Sequence, residues 1–296
     1  MIQRTRGEKI FNVFNYIILT LLALSTLYPF LYTLTMSVST MKAINAGGYH
    51  LIPTWGEITW EPYYLVFKNK QIWEAYTWTV IRTVVGTICN VLATCFFGYA
   101  LSRPNLIWKK FFTVMIMITM LFSAGQIPSF LNIKSLGLLN NFWVYILPGL
   151  VSAYNINIAK SFYVGIPEAL NESAKIDGAG EFRVFFQIIV PLSKPVMMTL
   201  ALWAAVGHWN AWFDCMLYMT EGKYVVVQQY IQRIVNENAS AAQLSDLASG
   251  NTDVGELTKE NLKSASIMVT VLPILMFYPF IQRYFIKGVS LGAVKG

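Results

Sequence analysis

Apolar residues in this chain gather into long unbroken runs separated by polar segments. The runs lie at about 16–36, 79–101, 111–125, 142–162, 188–212 and 265–285. A helix needs roughly 20 apolar residues to cross a hydrocarbon core. The apolar positions are continuous rather than alternating, so the pattern predicts helices and not a barrel. It predicts an all-α integral membrane protein with six transmembrane helices in a single domain, 1–296. Pro191 and Pro195 interrupt the fifth run, and Pro273 and Pro279 the sixth. Neighbouring helices and polar side chains can re-satisfy the backbone groups that proline frees, so these runs predict kinked spans. The first run is longer than the ~7–15-residue core of a signal peptide. Ser37-Val38-Ser39 is a passable cleavage site, but an uncleaved first span is the better reading.

Composition agrees with the pattern. The chain is 55% hydrophobic and 12% charged, about half the charge of a soluble domain. A net charge of +7 would suggest nucleic acid in a soluble protein; here it reads as basic cytoplasmic loops. With the N-terminus inside, 13 of the 22 Lys and Arg residues fall on the inner side. Arg82 counts among the outer ones. Both termini are then cytoplasmic. Long outer loops lie at 37–78 and 213–264, with a short one at 126–141. In the last long loop, Val226, Val227, Tyr230, Ile231 and Ile234 recur at helical spacing, and 236–261 reads as a loosely packed polar excursion. Cys89, Cys95 and Cys215 have no metal-ligand or disulfide spacing and read as inert packing residues.

Several chemistries are missing. There is no Gly-x-x-x-x-Gly-Lys-[Ser/Thr] phosphate loop and no His-Glu-x-x-His. No nucleophile or metal cluster is visible. No internal repeat of the kind many secondary transporters carry is present. The only histidines are His50, in an outer loop, and His208. His208 lies deep in the fifth run beside Trp209, Asn210 and Trp212, where it reads as a hydrogen-bonded core residue or as a residue lining a pathway. Gly86 and Gly98 in the second run read as close-approach positions between helices.

The second inner loop, 163–187, breaks the greasy pattern most sharply. It contains IPEALNESAKIDGAGEFRVFFQIIVP, residues 166–191. Pro167 suits a helix start. Glu168 and Glu172 share one helical face. Asp177-Gly178 is a turn signal in which Gly178 can take a positive φ. Glu181–Phe186 reads as a second helix leading into the membrane. The segment is therefore helix, tight turn, helix, with Ala169, Ala174 and Ala179 keeping part of its surface small. Such a knob is shaped for another protein's cleft. The alternative is a helix resting on lipid headgroups, against which its acids argue.

These residues carry a family resemblance. Glu172-Ser173-Ala174, Asp177-Gly178-Ala179, Ile188 and Pro191 resemble the Glu-Ala-Ala loop of binding-protein-dependent ABC importer permeases, with Ser173 in place of the central alanine. GYALSR (98–103), LYPF (27–30) and the terminal YPFIQRYFIKGVSLGAVKG (278–296) resemble the carbohydrate-uptake branch. Within it, the likeness runs to the second permease subunit of maltose-type importers and of those for alginate and complex oligosaccharides. The resemblance implies a type I importer permease fold and a multi-pass place in a bacterial cytoplasmic membrane. It implies a homologous second permease, two ATP-binding subunits, an extracytoplasmic solute-binding protein and an oligosaccharide substrate, with lipid around the spans and no nucleic acid. It also implies no catalytic residue and no cofactor in this chain, since ATP and Mg belong to the partner subunits. Glu172, Ser173, Ala174, Asp177, Gly178 and Ala179 become a coupling helix seated on an ATPase. Gly292, Lys295 and Gly296 become a tail that reaches the ATPases, or else a frayed terminus. Trp203, His208, Trp209, Asn210 and Trp212 become candidates to line the substrate pathway, although interfacial tryptophans also serve as membrane anchors. Import of a non-sugar solute and a self-sufficient channel or secondary transporter are the competing readings.

Overall fold

The computed structural model describes residues 6–40, 58–235, 261–273 and 275–276. The described residues are helical throughout, with a single isolated bridge between Ser39 and Ile58. The chain divides into two units. One comprises 1–70 and 233–273, and the other 71–232 and 274–296.

In the first unit, α1 (Arg6–Val38) is a 33-residue helix and α2 (Glu61–Lys68) a short one. Most of α1's large apolar side chains are exposed, from Ile10 to Leu34, as expected of a helix whose solvent is lipid. Its last turn is tied down by polar contacts. Ser37 Oγ and Tyr63 Oη lie 2.7 Å apart, and Asn261 Nδ2 donates to the carbonyls of Met36 (3.0 Å) and Ser39 (2.6 Å).

The second unit is organised around α3 (Lys70–Ser102), another 33-residue helix. Thr79, Thr83, Gly86, Thr87, Asn90 and Thr94 recur along it at three- and four-residue spacing and so line one face. In a membrane span such a face turns inward; Thr79, Arg82, Asn90 and Thr94 are indeed buried. The face satisfies backbone groups of neighbouring segments. Thr79 Oγ1 accepts from the Val227 N–H at 2.8 Å, and Asn90 Nδ2 donates to the Gly149 carbonyl at 3.2 Å. Arg82 Nη1 donates to the Ala211 carbonyl at 3.1 Å. Gly149 and Ala211 both sit where helices break, and a freed carbonyl in an apolar setting needs a donor.

Those breaks separate the structure from the expected runs. The run at 111–125 becomes α4 (Lys109–Leu121), and the expected short loop at 126–141 begins with a further helix, α5 (Gln126–Ser135). The pair is bent by 120° at a break where Gly125 has φ +79°. The run at 142–162 is not one helix. Phe142–Tyr145 forms a 3-10 turn and α6 (Ala153–Val164) follows. Pro148 and Gly149, which hydropathy alone does not register, fall between them. The next helices are α7 (Glu168–Ile176), α8 (Glu181–Leu192) and α9 (Lys194–Asn210). A π segment, Phe185–Ile189, lies inside α8. α8 and α9 meet at 82°, where Pro191 and Pro195 withhold two N–H groups. Ser193 bridges the gap, its N–H and its Oγ both donating to the Ile189 carbonyl, at 2.9 and 2.5 Å. Short helices α10 (Phe213–Tyr218) and α11 (Val227–Val235) follow. Val226, Val227, Tyr230, Ile231 and Ile234 are all buried, as their spacing predicts.

By length and composition α1 and α3 each suffice to cross a membrane. Counting each of the bent pairs α4–α5 and α8–α9 as one span gives a total of four among the described residues. The later part of the sixth run, 277–285, together with Gly292, Lys295, Gly296, His50 and 236–260, lies outside them.

Candidate functional site

The polar loop folds as a helix, a tight turn and a helix. Pro167 caps α7, whose first turn carries Glu168. At the other end Gly178 has φ +79°, a conformation that costs a side-chain-bearing residue ~1–2 kcal/mol. Its N–H donates to the Lys175 carbonyl at 3.0 Å, and that of Ala179 to the Ala174 carbonyl at 2.9 Å. This pair is a Schellman closure, which ends a helix and reverses the chain at once.

The loop has two distinct faces. Asn171 and Ala174, one turn apart, are buried, and Ala179 packs against the same core. Glu172, Ser173, Asp177 and Gly178 are exposed. Large apolar groups stand beside them. Ile176 is 85% exposed and Phe182 75%, with Leu170 nearby in sequence and also exposed. Apolar side chains standing out of an otherwise acidic loop are what a protein partner would cover. Glu172 makes no ion pair among the described residues.

The buried face is part of the core of the long helices. Ala174 of α7 and Val184, Phe185 and Ile189 of α8 share one cluster with Cys95 and Tyr99 of α3, Ala159 and Tyr163 of α6, and Val196 and Leu200 of α9. Phe185 stacks on Phe96 at 4.8 Å. Gly98 permits the close α3–α6 approach, since a Cβ there would stand 2.7 Å from that of Ala159. Polar contacts join the same parts. Tyr99 Oη donates to Glu181 Oε2 at 2.8 Å, and Arg103 lies 4.4 Å over the Tyr99 ring and 3.8 Å from Glu168. Lys175 and Glu181 pair at 2.6 Å across the turn. A packed body of this kind moves as a unit, because close-packed cores do not deform continuously.

Residues 91–291 match the family described as the binding-protein-dependent transport system inner membrane component. The chain belongs to that family. It is 35% identical to the polygalacturonan/rhamnogalacturonan transport system permease protein of Bacillus subtilis, over 98% of this chain and 99% of the relative. It is also 35% identical to protein LplC of the same organism, over 99% of this chain and 97% of the relative. Among solved structures it resembles a chain of a bacterial ABC transporter involved in the import of the acidic polysaccharide alginate. That likeness has a TM-score of 0.85 at 30% identity and covers 96% of this chain and 100% of the other. Among the described residues no His, Cys, Asp and Glu gather as a metal site.

The residues expected to line a pathway in this inner membrane component each have their own neighbours. Trp203 stacks on Tyr154 of α6 at 6.2 Å. His208 lies against Gly86 of α3, leaving no room for a Cβ there. Trp209 is half-buried, and its Nε1 has no hydrogen-bond partner among the described residues. Asn210 is exposed at the end of α9, and Trp212 meets Phe213 at 5.8 Å.

A feature missed in the sequence lies close by. Arg82, counted there as an outer-loop charge, is 2% exposed inside α3. It forms a two-pronged ion pair with Asp214, its Nη1 reaching Oδ1 at 3.2 Å and its Nη2 bonding Oδ2. It also stacks on the Tyr145 ring at 4.3 Å. One charge four residues into an apolar run was the available signal.

Proposed function

We propose that this chain is the permease subunit of an ATP-driven ABC importer, forming half of the translocation pathway for an oligosaccharide delivered by a solute-binding protein. The observation that carries the reading is the loop at 163–187, whose inner face is built into the core of the long helices and whose outer face presents Leu170, Glu172, Ile176 and Phe182. A lever needs both: a rigid root and a free docking surface. The likeness to a polygalacturonan/rhamnogalacturonan permease and to an alginate importer supports a carbohydrate substrate, and favours testing acidic, uronate-bearing oligosaccharides first.

In this reading six spans cross the bacterial inner membrane with both termini cytoplasmic, and 163–187 faces the cytoplasm. Two ATP-binding subunits supply ATP and Mg, a homologous permease supplies the other half of the pathway, and the tail at Gly292, Lys295 and Gly296 contacts the ATPases. Closure of the ATPases pulls α7, and α3, α6, α8 and α9 follow because they share its core. The outer loop at 213–264 meets the binding protein. Trp203, His208, Trp209, Asn210 and Trp212 stand near the pathway.

The test is uptake by the assembled importer in proteoliposomes, with ATP inside and binding protein outside. Glu172→Lys is expected to abolish uptake while the chain still inserts. Uptake by this chain alone, driven by a gradient and without ATPases, would overturn the reading.

A further inference from the structure

We infer that Tyr99 and Arg103 are positioning residues that fix the angle between the coupling loop and α3; the inference rests on the coupling role proposed above. GYALSR (98–103) lies outside that loop. In the structure Tyr99 and Arg103 reach both arms of the loop. Arg103 lies 3.8 Å from Glu168 at the start of α7. Tyr99 donates to Glu181 Oε2 at the start of α8. Arg103 also covers the Tyr99 ring at 4.4 Å, so the two grips support each other. Glu181 in turn pairs through Oε1 with Lys175, on the far side of the Gly178 turn.

The path is therefore continuous, from α3 through Tyr99 and Glu181 to Lys175 in the last turn of α7. Apolar packing holds Ala174 in the core but tolerates small rotations, because dispersion is not directional. A hydrogen bond to a carboxylate and a stacked guanidinium are directional. They set the direction in which the exposed face of α7 points.

Such a role differs from mere stabilisation in what it disturbs. Loss of stability lowers the amount of assembled importer and scales all its activities together. Loss of positioning lowers substrate moved per ATP hydrolysed. The experiment uses the complete importer, co-expressed with its ATPases, second permease and binding protein and reconstituted in proteoliposomes. Uptake and ATP hydrolysis are measured on the same sample.

Tyr99→Phe removes one oxygen and is expected to lower the transport-to-ATP ratio about ten-fold, the size expected for a hydrogen bond to a charged group, with the yield of complex unchanged. Arg103→Lys keeps the charge without the planar stack and is expected to fall between wild type and Arg103→Ala. Tyr99→Phe added to Glu181→Gln is expected to be no worse than Glu181→Gln alone, since the tyrosine's link runs through that carboxylate. A wild-type ratio in Tyr99→Phe and Arg103→Ala, or additive losses in the double variant, would overturn the inference. Should either variant fail to assemble, the Arg103→Lys ratio decides in the same way. Failure of the underlying coupling reading looks different: wild-type uptake would persist with Glu172→Lys or without any ATPase.

Discussion

Two places along α3 each bring together an arginine, a tyrosine and a carboxylate, yet they are built differently. In the helix interior, Arg82 is sealed in by Asp214, the Ala211 carbonyl and the Tyr145 ring. Near Ser102, Arg103 and Tyr99 hold Glu168 and Glu181, whose carboxylates are about half exposed, at 55% and 52%. A buried pair is costly to halve because the remaining charge stays desolvated. An exposed pair adds little stability because water competes for both partners. The first arrangement fixes a break between helices. The second orients a surface that another protein can reach. The same side-chain types thus serve stability at one place and geometry at the other.

The contrast predicts a graded series. Arg82→Leu or Asp214→Leu alone should be the most damaging, costing about 3–5 kcal/mol and appearing as a large loss of thermal stability in detergent. The double variant Arg82→Met with Asp214→Leu should recover much of that loss, since no charge is then orphaned. Next, Gly86→Val should cost about 1–3 kcal/mol through overpacking against His208, and His208→Ala should relieve it. Gly178→Ala should cost about 1 kcal/mol, because its φ of +79° disfavours a Cβ. The smallest stability effect belongs to Lys175→Ala, whose pair with Glu181 joins side chains 49% and 52% exposed. A change within ~0.5 kcal/mol, together with reduced uptake, would separate geometry from stability. A loss of stability at Lys175 equal to that at Arg82 would erase the distinction.

What the sequence revealed follows the same divide. Asp177-Gly178, Pro167 and the paired acids are local signals, because a turn is decided by a few consecutive residues. The helix–turn–helix was therefore legible, as was the amphipathic spacing of 226–234. The inward direction of Ala174 and Ala179 was not, since it depends on the core contributed by α3, α6 and α9. Arg82 and Asp214 are 132 residues apart, and no local pattern announces their pairing. Hydropathy also reads 142–162 as one run. Yet Pro148 and Gly149 break it, and Asn90, far away in α3, answers the Gly149 carbonyl. Apolar runs could be located from composition; their interruptions required knowing which polar side chain would satisfy each one.

The central claim is that the loop at 163–187 is where another subunit delivers work. Site-specific photocrosslinking in the assembled importer tests it most directly, with the crosslinking residue placed at Ile176 and, as the comparison, at exposed Met216 in α10. The account predicts an adduct between position 176 and an ATP-binding subunit, and none from position 216. An ATPase adduct at 216, or only lipid adducts at 176, would contradict it.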